Sequence, residues 1–180
     1  LVEVTRADLV GRYVGHTAPL TNSVIQSALG GVLFIDEAYA LYRGGEDSFG
    51  LEAIDTLVKG IEDHRDDLVV ILAGYTKEMQ LFLSANSGLA SRFPNQIEFP
   101  DYTGEELYKI MLSIAKGKGY TLDEGCRLPL VTYFDRKQVE DAATNGNGRM
   151  ARNTLEKAIL NQSKRLVADP DASLELLLPG

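Results

Sequence analysis

Two adjacent acids, Asp36 and Glu37, close the uninterrupted apolar run Val32-Leu33-Phe34-Ile35. At the end of a buried strand, a first carboxylate can help hold Mg²⁺ through its water shell, and a second can polarise an attacking water as a general base. The competing reading is that Asp36 caps the next helix and Glu37 is simply solvated. Three other segments carry suggestive side chains. Arg92, in "ASRFP" on the loop before an expected third strand, can stabilise charge developing on a phosphoryl group held by a neighbouring subunit, or make a surface salt bridge. Arg149 and Arg152, in "GNGRMARN", fall in the opening of a helix, where cations oppose the macrodipole. A phosphate partner would offset that cost, and two exposed structural arginines are the alternative. Tyr13, Val14 and Gly15, in "RYVGH", place an aromatic ring beside a small flexible residue, suited to gripping an extended polypeptide with little sequence preference. A tyrosine folded over its own loop is the other possibility.

The elements that must position these residues follow from periodicity. Val2 and Val4 alternate with polar neighbours as a short strand, and "GRYVGHTAP" reads as a loop closed by Pro19. Residues 20–29 present one apolar helical face, ended by Gly30 and Gly31, and 32–35 form a strand apolar throughout, as expected where both sheet faces are covered. "RGGEDSFG" reads as loop, 51–63 as a helix, 68–73 as a second apolar strand and "NQIEFP" as a third, short one. Strands alternating with helices imply an α/β fold with a parallel sheet.

After Pro100 the pattern turns helical. Thr103 and Glu106 match a capping box ahead of a stripe from Leu107 to Ala115, and further helices are expected over about 127–139 and 148–167. The boundary is placed near Asp101, giving an α/β domain over 1–100 and a small all-helical domain over 101–180, with "SLELLLPG" as a short strand or docked end.

Composition narrows the function classes. With 26 acids against 18 bases in 180 residues the chain is acidic, which argues against a large nucleic-acid footprint. No apolar run approaches the roughly 18 residues of a membrane span. The single cysteine, Cys126, rules out an intrachain disulfide and fits a reducing, cytoplasmic setting. His16 and His64 are isolated, so nothing suggests a zinc site.

Taken in order, "VTRADLVGRYVGHTAPLT", "GGVLFIDEAYALY", "DDLVVILAGYTKEM" and "LASRFPNQIEFPDYT" resemble the AAA+ ATPases, and within them the CbbX and stage V sporulation protein K group, which includes the ATPases of type VII secretion. The likeness runs from about Val2 to Leu166. It implies ATP and Mg²⁺ as cofactors, a homo-oligomer that is a hexamer when intact, and a polypeptide substrate rather than nucleic acid. It makes "VLFIDE" a Walker B strand, with Asp36 the Mg²⁺ aspartate and Glu37 the catalytic glutamate. Tyr13, Val14 and Gly15 become a substrate loop lining a central pore, with "RGGEDSFG" where a second pore loop would lie. Arg92 matches the arginine finger. Arg149 matches the sensor 2 arginine of the helical lid, with Arg152 the fallback. Sensor 1 in classical members is Asn; here Thr76 is the best match and Tyr75 its rival.

One expected motif does not occur in the sequence. Phosphate cradling needs Gly-x-x-x-x-Gly-Lys followed by Ser or Thr, and the only Gly-Lys pair, Gly117-Lys118, is followed by Gly119 and lacks the upstream glycine. The resemblance places that loop before residue 1, on a strand lying between "LVVILAG" and "NQIEF". The expectation is therefore an incomplete AAA+ core, the C-terminal part of a longer ATPase, with residues 1–180 alone marginal, aggregating or paired edge to edge. The alternative is an interaction or scaffold module that keeps the fold without turnover.

Overall fold

Runs of Val, Ile and Leu become a parallel sheet in the computed structural model, which describes residues 1–140, 146–169 and 171–179. β1 (Val2–Val4) leads into the single-turn helix α1 (Arg6–Leu9) and then α2 (Thr17–Ala28). β2 (Gly31–Ile35) is followed by a 3₁₀ turn (Ala38–Leu41), α3 (Ser48–Asp63), β3 (Leu68–Leu72), α4 (Thr76–Ala85) and α5 (Ser87–Arg92). The strand order is β1-β2-β3, all parallel, in the register Val4–Ile35–Leu72. Parallel neighbours require crossovers, and α2 and α3 supply them. These helices pack on each other closely enough that a Cβ at Gly60 would lie 2.5 Å from Ile25 Cδ1. That close approach explains a glycine in a helix interior, where it otherwise costs about 1 kcal/mol.

Several expectations change here. α2 begins three residues earlier than expected, so Pro19 is inside its first turn rather than closing the loop; proline is tolerated there because the first-turn N–H groups have no intrahelical partner. α3 starts at Ser48 because Asp47 caps it, Oδ1 accepting from Gly50 N at 3.1 Å, which shortens the "RGGEDSFG" loop. The sheet is covered on one face only among the described residues. Leu33 and Ile35 are fully buried, Val32 and Phe34 on the opposite face are half-buried, and Val69 and Ile71 beside them are exposed. Finally, "NQIEFP" is not a strand: residues 93–103 hold no regular element, and Ile97 and Phe99 are 81% and 87% exposed. A strand exists through its ladder, and among the described residues no strand pairs with 95–100.

The chain divides into two compact units, Leu1–Glu98 and Phe99–Gly180. The second contains α6 (Gly104–Gly117), β4 (Thr121–Leu122), α7 (Arg127–Glu140), α8 (Gly148–Ala168) and β5 (Leu176–Leu177). The capping box forms: Glu106 N donates to Thr103 Oγ1 at 3.3 Å and Thr103 N to Glu106 Oε2 at 2.8 Å. α6 packs against α7 and α8 around Leu107, Met111, Phe134, Ala151 and Leu155, each at most 1% exposed. The unit is not wholly helical, because the tail returns as β5 and pairs parallel with β4. Gln162 secures the tail, its Nε2 within 2.9–3.2 Å of the carbonyls of Ser173, Leu174 and Leu176, while Arg165 Nη2 donates to Leu176 O at 3.0 Å. The last tail residue, Gly180, lies outside the described residues.

Candidate functional site

Asp36 and Glu37 sit at the carboxyl end of β2, the central strand of the sheet, which is where ligands bind in open α/β folds. The turn that holds them is pinned on both sides. Asp36 N donates to Val4 O at 2.9 Å, Ala38 N to Ala73 O at 3.0 Å and Ala73 N to Ile35 O at 2.9 Å. Both acids are exposed on this framework. Asp36 Oδ1 accepts from Glu37 N at 3.0 Å, which orients the first carboxylate. Glu37 is left-handed, with φ 47° and ψ 46°. A long non-glycine side chain there is uncommon and costs roughly 1–2 kcal/mol, a strain the flanking ladder bonds sustain. The conformation turns the chain directly from strand into the 3₁₀ turn, so the two acids leave the sheet edge as neighbours. Asp36 does not cap a helix through its side chain.

Tyr39, two residues on, was not singled out from the sequence. It is half-buried, and its ring centroid lies 6.4 Å from that of Tyr75. Burial raises its phenol pKa above the ordinary value, and the charges of Glu37, Glu78 and Asp36 and the Tyr75 phenol push the same way. The shift keeps the phenol protonated and able to donate a hydrogen bond. The one sequence signal for it was its position one step along the same short turn.

Thr76 and Tyr75 follow β3, whose end is tied to the acid turn through Ala73. Thr76 opens α4 and is exposed, and among the described residues no hydrogen bond joins it to Asp36 or Glu37. Tyr75, its rival, precedes the helix and is the one in ring contact with Tyr39. Arg92 is not on a loop: it is the last residue of α5, a helix capped by Asn86 and absent from the expected elements. Its guanidinium folds back, with Nη2 3.2 Å from Glu62 and Nη1 donating to Gly88 O at 3.1 Å, while Nε is buried with no hydrogen-bond partner among the described residues.

The aromatic loop has an exposed tip on a rigid stem. Tyr13 and Val14 are 68% and 87% exposed, and the Tyr13 ring meets His16 edge-on at 5.5 Å. His16 N donates to Tyr13 O at 3.1 Å, and Gly15 takes φ 80° at the turn's third position, which glycine adopts without strain. Below the tip, Gly11 N donates to Thr17 Oγ1 at 3.0 Å and Thr21 Oγ1 to Leu9 O at 2.8 Å. Both threonines are fully buried, so these bonds satisfy groups that would otherwise be costly.

In the second unit, Arg149 and Arg152 lie in the first turns of α8, three residues apart and so on one face. Both are exposed and in no ion pair among the described residues. The turn before them is fixed by Asn147, whose Oδ1 accepts from Tyr102 N at 3.1 Å and whose Nδ2 donates to Asp101 Oδ1. No group of three or more His, Cys, Asp or Glu side chains forms a metal cluster among the described residues.

A parallel α/β core with paired acids leaving its central strand, followed by a helical unit, is the arrangement of a nucleotide-dependent core with its lid. Comparison with known proteins agrees: residues 1–101 match the ATPase family associated with various cellular activities (AAA), and residues 103–179 match the AAA lid domain. The chain belongs to the AAA family of ATPases. It is 49% identical over 93% of its length to stage V sporulation protein K of Bacillus subtilis, of which it covers 52%. It is 45% identical over 97% of its length to the chloroplastic ribulose bisphosphate carboxylase/oxygenase activase of Cyanidioschyzon merolae, covering 59% of that protein. It is 45% identical over 97% of its length to the protein CbbX of Cereibacter sphaeroides, covering 56%. The chain therefore spans a little over half the length of these relatives. A crystal structure of the FIGL-1 AAA domain in complex with ADP shares its fold, with a TM-score of 0.58 at 15% identity over 97% of this chain and 58% of the other.

Proposed function

We propose that the protein containing these residues hydrolyses ATP as a hexameric ring and uses the turnover to remodel a polypeptide. The observation that carries the reading is the pinned Asp36–Glu37 turn at the carboxyl end of the central strand, in a chain of the AAA family. Two exposed carboxylates oriented by the backbone suit a hard cation that keeps part of its water shell, so Asp36 would hold Mg²⁺, which neutralises phosphate charge when bound. Glu37 accepts the proton of the attacking water. The neutral Tyr39 hydroxyl, together with Tyr75 or Thr76, supplies donors near that water. Arg92 acts on a neighbouring subunit once it leaves Glu62, and Arg149, with Arg152 as the fallback, binds phosphate from the lid.

The exposed Tyr13–Val14–Gly15 tip supports a polypeptide client over nucleic acid, as does the acidic chain. The relatives named above include a sporulation protein and a rubisco activase, which fits a common engine serving different clients. A single cysteine fits a reducing, cytoplasmic setting as part of the same reading. No helix among the described residues is long and apolar enough to cross a membrane.

The test is Glu37→Gln in the full-length protein. ATP turnover should fall by about 10²–10⁴-fold while nucleotide stays bound. Unchanged hydrolysis would overturn the assignment, and a full-length protein that binds no ATP would instead be an interaction module.

A further inference from the structure

Arg6 lies outside every candidate site above, yet its side chain holds more polar contacts than any of their arginines. It is the first residue of α1, the single turn between β1 and the aromatic loop. Its Nη1 donates to Ala40 O at 2.9 Å, Leu41 O at 3.2 Å and Asp47 Oδ2 at 2.7 Å, and its Nη2 donates to Asp47 Oδ1 at 3.1 Å. Arg6 and Asp47 side chains are each 17% exposed, so the pair is largely shielded from screening. Ala40 and Leu41 end the 3₁₀ turn that begins directly after Glu37, and Ala40 N donates to Glu37 O at 2.8 Å. Asp47 caps α3. The space around the guanidinium is tight enough that a Cβ at Gly50 would meet Leu41 O and lie 2.8 Å from Arg6 Nη1.

On its other side α1 is bonded to the stem of the aromatic loop through Leu9 O and Thr21, and the stem is closed by Gly11 and Thr17. A continuous line of bonds therefore runs from the Glu37 turn through one guanidinium to the base of the Tyr13 tip. Tying α1 to α3 for stability alone would need only Asp47. The two carbonyls of the acid turn are what make Arg6 a link between the acids and the loop. A planar five-donor fork suits four acceptors on two segments, and the point charge of lysine does not.

We propose that Arg6 is a positioning residue that couples the Asp36–Glu37 turn to the Tyr13–Gly15 loop, so that a change of nucleotide state at the acids moves the loop. The inference rests on the ATPase reading above. It makes Arg6 a transmitting group and not a catalytic one.

Hydrogen–deuterium exchange in the full-length protein tests it, comparing ADP with a non-hydrolysable ATP analogue and measuring both affinities by calorimetry. With Arg6 present, exchange at amides 11–16 should differ between the two nucleotides by about fivefold or more. In Arg6→Lys, which keeps the charge and the aliphatic stem, that difference should disappear while both affinities hold. Asp47→Asn, which keeps a polar cap for α3, should reduce it partly and serves as the second variant. A difference that survives in Arg6→Lys overturns the proposal, as does its absence with Arg6 in place. If the unsubstituted protein binds neither nucleotide, the ATPase reading fails and the coupling falls with it, an outcome separable from the other two because affinity is read independently.

Discussion

In the first unit β3 offers Val69 and Ile71 to solvent at 57% and 44% exposure, while in the second unit the helices bury Phe134, Leu107 and Leu155 completely. The contrast lies in the elements, since both units are rich in apolar residues. A helix has one apolar stripe, and three helices can turn theirs inward together. A parallel sheet has two apolar faces and two edges, and α2 and α3 cover one face of this one. The edges of the first unit end in exposed carboxylates and an exposed aromatic tip, whereas the second unit closes its one open end with a tail held by Gln162 and Arg165. Exposed apolar surface is thus carried differently in the two units: on one face of the sheet in the first, and at scattered helix positions such as Leu128, Val139 and Val167 in the second.

The largest expected effect sets a core position against an exposed one of the same residue type. Leu155→Ala in the second unit should cost about 2–5 kcal/mol, while Leu81→Ala, 70% exposed on α4 of the first unit, stays within about 0.5 kcal/mol by denaturant titration. Equal costs would erase the contrast. Gln162→Leu comes next: it leaves the carbonyls of Ser173, Leu174 and Leu176 without their side-chain donor, costing about 2 kcal/mol and speeding amide exchange over 173–177. Unaltered exchange there would mean that β4 and Arg165 hold the tail without Gln162.

Acid titration examines the polar tie of the first unit. The Arg6 hydrogen bond, aided by the Gly50 amide, holds the Asp47 carboxyl below the ordinary aspartate value. A folded-state value below the unfolded one contributes stability that is complete above the unfolded pKa and lost as pH falls through the folded one. Asp47→Asn should therefore flatten the acid limb of the stability curve. A parent and variant with the same acid slope would contradict the pairing. Glu106, held low by the Thr103 amide and hydroxyl, acts with the same sign in the second unit, at a solvent-exposed position.

The smallest effect runs the other way. Glu37→Gly should relieve the left-handed strain and stabilise the fold by about 1 kcal/mol, while abolishing the proposed hydrolysis. A lower melting temperature would show that the Glu37 side chain supports the turn.

Much of this was legible one element at a time. The apolar runs at 32–35 and 68–72, the capping box at Thr103, and the helices of the second unit are local patterns, set by residues within a turn or two of each other. The segment at 95–100 was not, because its Ile97 and Phe99 alternate as a strand does but pairing needs a partner from elsewhere. The helical setting of Arg92 was hidden for a similar reason. Its side chain is placed by Asn86, which caps α5, and by Glu62 on α3, neither visible in "ASRFP". Tyr39 and Arg6 carried no motif, and their interest comes wholly from what the fold puts beside them.

From the sequence alone came the residue types: an acid pair ending an apolar strand, an aromatic beside glycine, and arginines near a helix start. Those are fixed by covalent order and by the strand and helix periods. Tertiary structure decided which of them meet. Asp36 and Glu37 face outward because Val4 and Ala73 hold their turn from two neighbouring strands, and Arg6 reaches the Ala40 and Leu41 carbonyls beyond them because β1 lies against β2. Hydrogen bonds between residues more than thirty positions apart form only once the sheet register is set, and no local pattern in the sequence specifies them.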